Sequence, residues 1–135
     1  MGTTRNAYSG VAAIVITAFL TAYQAPLGAQ QGGASALRVG ANDLGGTVAS
    51  ANGPEAGVWV IAETNDLPTK FAKVVVTDDR GRYLIPGLPK ANYSVWVRGY
   101  GLIDSKKVKS SPGKTLNLKA TPASTEKEAA EYYPG

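Results

Sequence analysis

The stretch from Thr77 to Gly101 most constrains the fold, because two strand patterns within it are separated by characteristic turn residues; it reads TDDRGRYLIPGLPKANYSVWVRGYG. Asp78 and Gly81 lie between the β-branched residues 74–77 and the alternating residues 82–85. Gly81 occupies the position where a hairpin turn needs a positive φ. The stretch therefore predicts a strand, a tight turn and a second strand.

Prolines then end the second strand, because proline cannot donate a hydrogen bond to a β-ladder. A further strand opens at Tyr93, and from there apolar and polar residues alternate at period two, which predicts one face packed on a core. The residues that we expect to serve the fold as structural turn positions are Asp78, Gly81, Pro86, Gly87 and Pro89.

Short strand patterns recur along most of the chain, with turn signals about every ten residues. They cover residues 44–48, 57–63, 71–77, 82–85, a strand from 93, 103–109 and 115–119. This spacing predicts an all-β fold, a seven-stranded antiparallel Greek-key-type β-sandwich. A Thr125 to Glu128 capping box predicts a short helix in the C-terminal tail, residues 123–135, which would dock, fray or lead into a further domain.

The N-terminal residues differ in kind from the rest. Arg5 is the only charged residue before Arg38, and residues 11–20 form an apolar run of the length found in signal peptides. Residues 1–29 are therefore predicted to be a signal peptide, cleaved after Ala29, with an uncleaved anchor or a buried helix as the alternatives. Residues 30–43 are rich in Gly, Ala, Ser and Gln and predict a flexible linker. We expect the mature chain to be secreted or periplasmic, touching a membrane only through an uncleaved signal segment.

The strand motifs also resemble a known family, the carboxypeptidase regulatory-like domain, over residues 44–122. The matching positions are Gly46-Thr-Val48, Pro54-x-x-Gly57-Val-x-Val60, Thr77-Asp-x-x-Gly81-x-Tyr83-x-Ile85, Leu88-Pro89 and Tyr93-x-Val95-x-Val97-x-x-x-Gly101. The resemblance implies a transthyretin-like sandwich, grouped by fold with carbohydrate-binding-like domains. It also implies an accessory module without peptidase chemistry, attached to secreted enzymes, receptors or surface proteins.

Composition removes most enzyme classes. The chain has no histidine and no cysteine, so the commonest general base, the commonest zinc ligand and any disulfide are absent. No nucleophile motif or phosphate loop is present, and the aspartates do not follow a calcium-loop pattern. We therefore expect no enzyme, no catalytic residue, no metal and no cofactor. A cryptic hydrolase using lysine or paired carboxylates is the least favoured alternative.

The positive charge is too small to indicate a nucleic-acid partner. Removing residues 1–29 leaves thirteen basic residues against ten acidic ones, a net charge of +3. Late lysines such as Lys107 and Lys109 are more simply explained as protection of an edge strand.

Two tryptophans are the strongest candidates for binding. Trp59 and Trp96 each alternate out of phase with the small apolar residues of their strands, so either could lie on an outer face. With Tyr100 they could form a carbohydrate platform, or they could pack in the core or contact a neighbouring protein domain. The sequence thus predicts a non-catalytic exported module for binding or domain organisation, as part of a larger protein, with carbohydrate binding as the main alternative.

Overall fold

The computed structural model describes residue 2 and residues 37–132, and residues 37–132 lie within one compact unit, Ala34–Gly135. The predicted signal peptide, residues 1–29, lies outside the described residues apart from Gly2. Within residues 37–132, eleven strands and one helix follow in the order β1 (Leu44–Ser50), β2 (Gly53–Pro54), β3 (Trp59–Thr64), β4 (Phe71–Val76), β5 (Arg82–Ile85), β6 (Tyr93–Arg98), β7 (Leu102–Ile103), β8 (Val108–Ser110), β9 (Lys114–Thr115), β10 (Leu118–Lys119), β11 (Thr121–Pro122) and α1 (Glu126–Tyr132).

Two sheets form the body of the fold. In the first, β1 pairs antiparallel with β2 and β5 and parallel with β9 and β10. The second is antiparallel, in the order β4-β3-β6-β8, and a small ribbon joins β7 to β11. The prediction of an all-β sandwich with a short C-terminal helix is confirmed.

The core lies between these sheets and follows the period-two alternation. Along β6, Tyr93, Val95 and Val97 are buried while the residues between them are only half-buried. The buried apolar residues from both sheets and their loops form one cluster: Leu44, Val48, Val58, Val60, Ala62, Tyr83, Ile85, Leu88, Tyr93, Val95, Val97, Leu102, Leu118 and Ala120. Their burial is the main source of stability for the fold.

Two predicted strands are interrupted. The sixth divides into β7 and β8 because Ser105 bonds twice to Val97, its Oγ accepting from Val97 N at 2.8 Å and its N donating to Val97 O at 3.0 Å. The seventh divides into β9 and β10, which pair with β1 in parallel rather than antiparallel fashion. Asn117, between them, is exposed, and its Oδ1 accepts hydrogen bonds from N and Oγ1 of Thr47, both at 3.1 Å.

The described part of the predicted linker contacts the sandwich. Asn42 O accepts a hydrogen bond from Leu88 N at 2.7 Å, and Asp43 O accepts one from Gly113 N at 2.7 Å. Residues 37–43 have no regular secondary structure, so these hydrogen bonds hold them beside the first sheet.

At the other end, the capping residues of α1 act as predicted. Thr125 Oγ1 accepts a hydrogen bond from Glu128 N at 3.1 Å, and Glu128 reaches back to Ser124 N at 2.7 Å. The bond from Glu128 N satisfies a main-chain donor that a helix N-terminus leaves open, and the bond from Ser124 N fixes the residue before the cap.

Candidate functional site

Hydrogen bonds and one ion pair hold the turn between β4 and β5. Asp78 Oδ1 accepts hydrogen bonds from Arg80 N and Arg82 N, both at 2.9 Å, and Oδ2 pairs with Arg82 Nε at 2.8 Å. Gly81 has a φ of +72° and its carbonyl accepts a bond from Val48 N at 2.7 Å. These contacts close the turn and bind it to β1, so both residues serve the fold.

The second turn is organised in the same way. Gly87 has a φ of +63°, and its N donates to Asp43 Oδ1 at 3.0 Å. Pro86 O accepts a bond from Lys73 Nζ at 2.5 Å, and Pro89 O accepts one from Tyr93 Oη at 2.7 Å. The proline carbonyls therefore anchor side chains from β4 and β6.

The two tryptophans lie together on the face of the second sheet that is turned away from the core. In the ladder, Trp59 is opposite Arg98, and Trp96 is opposite Ile61. The indoles are therefore diagonal neighbours on adjacent strands, close enough for large side chains to interact. Both are half-buried.

Strand β4 extends this surface with valines. Trp59 is opposite Val76 and Ile61 is opposite Val74, and these valines are 56% and 51% exposed. Ile61 is only 9% exposed although it is not part of the core cluster. We call this surface the apolar face; it consists of Trp59, Ile61, Val74, Val76 and Trp96.

Trp96 is enclosed by two cations. The Arg98 guanidinium carbon lies 4.9 Å from the centre of the Trp96 ring and Lys107 Nζ lies 5.5 Å from it. Asp104 holds Arg98 through two bonds of 2.8 Å and 2.6 Å, and Glu63 forms an ion pair with Lys107. Cation–π attraction and the two ion pairs thus fix this ring. Its buried Nε1 has no hydrogen-bond partner among the described residues.

Tyr100 is the third aromatic residue of the predicted platform. It lies in the turn after β6 and is 88% exposed. With α1 and the residues before it, Tyr100 lines a shallow depression of about 510 Å³ whose other residues are Gly101, Ala123, Thr125, Glu126, Ala129 and Ala130. The predicted platform therefore has two indoles on the outer face of the second sheet and an exposed tyrosine that lines a depression beside α1.

Strand β4 is also an edge strand, since β3 is its ladder partner and no other strand pairs with it within residues 37–132. Thr77 N donates to Val58 O at 2.9 Å, so the main chain of residue 77 faces β3. Because these groups alternate in direction along an antiparallel strand, the N–H and C=O groups of Val74 and Val76 face away from β3. An edge of this kind can pair with an extended segment.

A polar groove lies at the other end of the same sheet. It has a volume of about 610 Å³ and is lined by Glu63, Thr64, Asn65, Asp66, Lys70, Asn92, Ser94, Lys107 and Lys109, and we call it the lysine groove. The hydrogen bond from Lys107 lowers the pKa of Glu63, and the charges of Lys107, Lys70 and Lys109 act in the same direction against the effect of burial. Glu63 is therefore a stably ionised carboxylate at neutral pH.

The other shifted groups also have structural causes. Burial raises the pKa values of Tyr83 and Tyr93, and the hydrogen bond to Asp104 raises the pKa of Arg98. Tyr83 Oη donates to Leu116 O at 2.5 Å. Among the described residues, no group of three or more acidic side chains could hold a metal ion. In the same part of the chain, no helix has the length and apolar character needed to cross a membrane.

Sequence reasoning did not identify Val74, Val76 or the lysine groove. The signal for the valines was the uninterrupted run of residues 74–76, which breaks the apolar and polar alternation of a strand with one solvated face. The groove gathers strand and loop residues from three separate parts of the chain, and spacing in the sequence carries no such signal.

Comparison with known proteins gives a likeness in fold. Neither a protein-family model nor a curated protein sequence matches this chain. Among solved structures, it is similar to a streptococcal ancillary pilin, with a TM-score of 0.50 and 15% sequence identity. The match covers 64% of this chain and 31% of the pilin chain, so this chain spans less than a third of the pilin's length. At this identity, the similarity concerns the all-β fold and not the function.

Proposed function

We propose that this chain is a non-catalytic, exported accessory β-sandwich module that binds a neighbouring protein domain through its apolar face. The observation that carries the proposal is the exposure of Val74 and Val76 beside a nearly buried Ile61. The core between the sheets is complete without these residues. A cluster of exposed apolar side chains outside the core is typical of a contact surface.

The edge of β4 adds main-chain groups to the same surface. Val74 and Val76 present both their side chains and their outward N–H and C=O groups, so a partner could gain apolar burial and ladder hydrogen bonds together. The charged residues Arg98, Asp104, Glu63 and Lys107 border the Trp96 side of the face. An apolar centre with a polar border is the usual composition of a protein interface.

The role as an accessory module rests on three further observations. The turn and strand motifs resemble the carboxypeptidase regulatory-like domain, the apolar residues 11–20 favour export, and a similar sandwich forms part of a longer pilin chain. The lack of histidine, of cysteine and of a nucleophile motif in the sequence supports the non-catalytic part of the proposal.

Carbohydrate stacking on Trp96 has weaker support. A sugar ring stacks on an open aromatic face, and Arg98 and Lys107 already lie over this ring. The discriminating measurement is a glycan array with the chain and with Trp96→Ala. Retained glycan binding by the variant would exclude Trp96 as a sugar platform.

Site-specific photo-crosslinking tests the protein contact. A benzophenone side chain replaces Val76 on the apolar face, and in a matched control it replaces Lys119, which is exposed on the first sheet. In the cells that produce the chain, we expect one discrete protein adduct from position 76 and none from position 119. Adding Val74→Asp should remove the adduct. No adduct from position 76, or the same adducts from both positions, would contradict the proposal.

A further inference from the structure

The lysine groove is a concave surface that shares only Glu63 and Lys107 with the polar border of the apolar face. Its walls come from the end of β3, the loop from residue 65 to residue 70, the start of β6 and the segment around β8. Its volume of about 610 Å³ is within the range of small-molecule sites.

Positive charge exceeds negative charge in this groove. Lys107 forms an ion pair with Glu63, and Lys109 Nζ donates to Ser94 Oγ at 2.9 Å. Lys70 makes no hydrogen bond or ion pair with any of the described residues, although its charge acts on Glu63. Asp66, the other acidic residue, accepts a hydrogen bond from Asn92 N at 3.1 Å. Two ammonium groups therefore remain without a carboxylate partner.

Protection of a sheet edge explains only one of these lysines. Lys109 lies on β8, an edge strand of the second sheet. Lys70 and Lys107 lie outside the strands, so they block no ladder. The ion pair with Glu63 and the contact with the Trp96 ring account for Lys107, whereas Lys70 has neither role.

The neutral lining consists of hydroxyl and amide groups. The side-chain amides of Asn65 and Asn92 have no hydrogen-bond partner within the described part of the chain, and Ser94 and Thr64 add hydroxyl groups. No aliphatic or aromatic residue lines the groove, so the apolar side chains of a peptide would find no packing partner. A ligand rich in hydroxyl groups that also carries a negative charge fits this lining.

We propose that the lysine groove binds an acidic oligosaccharide, with a uronate carboxylate placed between Lys70 and Lys109. The amides of Asn65 and Asn92 then bond the sugar hydroxyl groups. The residues proposed to bind the sugar, Lys70, Lys109, Asn65 and Asn92, lie outside the apolar face, so either proposal can fail without the other.

Titration calorimetry with a short oligogalacturonate tests the site on the 135-residue chain. We expect Lys70→Gln and Lys109→Gln each to weaken binding by about threefold to tenfold, because each removes one exposed or partly exposed charge pair. The methyl-esterified oligomer, which has the same sugars without the charge, should bind at least about tenfold more weakly.

Matched controls separate this site from general electrostatic attraction. Lys114→Gln and Lys127→Gln remove exposed lysines outside the groove and should leave the affinity unchanged, as should Val76→Asp on the apolar face. Equal binding of the methyl ester, equal losses in the control variants, or absence of binding would overturn the proposal. An oligoglutamate peptide that binds as tightly as the oligogalacturonate, with the same dependence on Lys70 and Lys109, would also overturn the proposal.

Discussion

Two independent constraints require glycine at position 81, in the turn after β4. Its φ is +72°, and a Cβ at this position would lie 2.6 Å from Val48 O. Gly87 has a similar φ of +63°, but a Cβ there would meet no atom within 4 Å. We expect Gly81→Ala to lower the free energy of unfolding by about 2–4 kcal/mol, against about 1 kcal/mol for Gly87→Ala. Urea denaturation measures both, and equal losses would contradict the close contact with Val48.

The Asp78 carboxylate makes the free energy of unfolding depend on pH in the acidic range. Its pKa is lowered first by the hydrogen bond from Arg82 N, and also by Arg80 N and the Arg82 side chain. Because the folded-state pKa lies below the unfolded-state value of about 3.9, the ionised carboxylate stabilises the fold above that pH. The contribution is lost as the pH falls through the folded-state pKa.

We therefore expect Asp78→Asn to lower the free energy of unfolding at neutral pH. Below about pH 4, that free energy should fall less steeply in the variant than in the wild type. The measurement is urea denaturation at a series of pH values from neutral to strongly acidic. The adjacent Asp79→Asn removes a carboxylate without removing these hydrogen bonds, and is the matched control. The same decrease in the free energy of unfolding at acidic pH in the wild type and in Asp78→Asn would contradict this account.

At the scale of the element, β4 combines two kinds of valine. Val75 packs against the core cluster, whereas Val74 is half-exposed on the apolar face. Replacement by alanine removes the same β-strand preference at both positions, so the difference between them reports packing. We expect Val75→Ala to destabilise the fold by about 1 kcal/mol more than Val74→Ala, as judged by urea denaturation. A larger loss for Val74→Ala would mean that the apolar face serves stability rather than contact.

The strands also show what sequence patterns could and could not predict. Each of the seven predicted positions contains a strand, because alternation and turn residues act locally. The break between β7 and β8 depends on Ser105 bonding to Val97, a contact that alternation does not encode. The parallel pairing of β9 and β10 with β1 likewise depends on where the sandwich brings distant segments together.

Candidate binding residues were only partly predictable for the same reason. The phase of Trp59 and Trp96 within their strands indicated that either could lie on an outer face, and in the structure both do. It did not indicate that Arg98 and Lys107 cover the Trp96 ring, since Lys107 comes from a later segment. Tyr100, grouped with the indoles from sequence, lines a depression beside α1.

At the scale of the molecule, the sandwich presents two separate surfaces on a single scaffold. The apolar face carries exposed valines and two indoles, and the lysine groove carries charged and polar groups. Glu63 and Lys107 belong to the groove and also border Trp96. Variants in Val76 and in Lys70 should therefore affect different ligands, while changes in Lys107 should affect both.

The most direct test of the central claim is calorimetry with the purified protein that is captured at position 76. Burial of the apolar face predicts a negative heat-capacity change on binding. Val76→Asp should weaken the complex by at least about tenfold. The control Lys114→Asp, on the first sheet, should leave the affinity unchanged. A heat-capacity change near zero, or equal losses for both variants, would contradict binding through the apolar face.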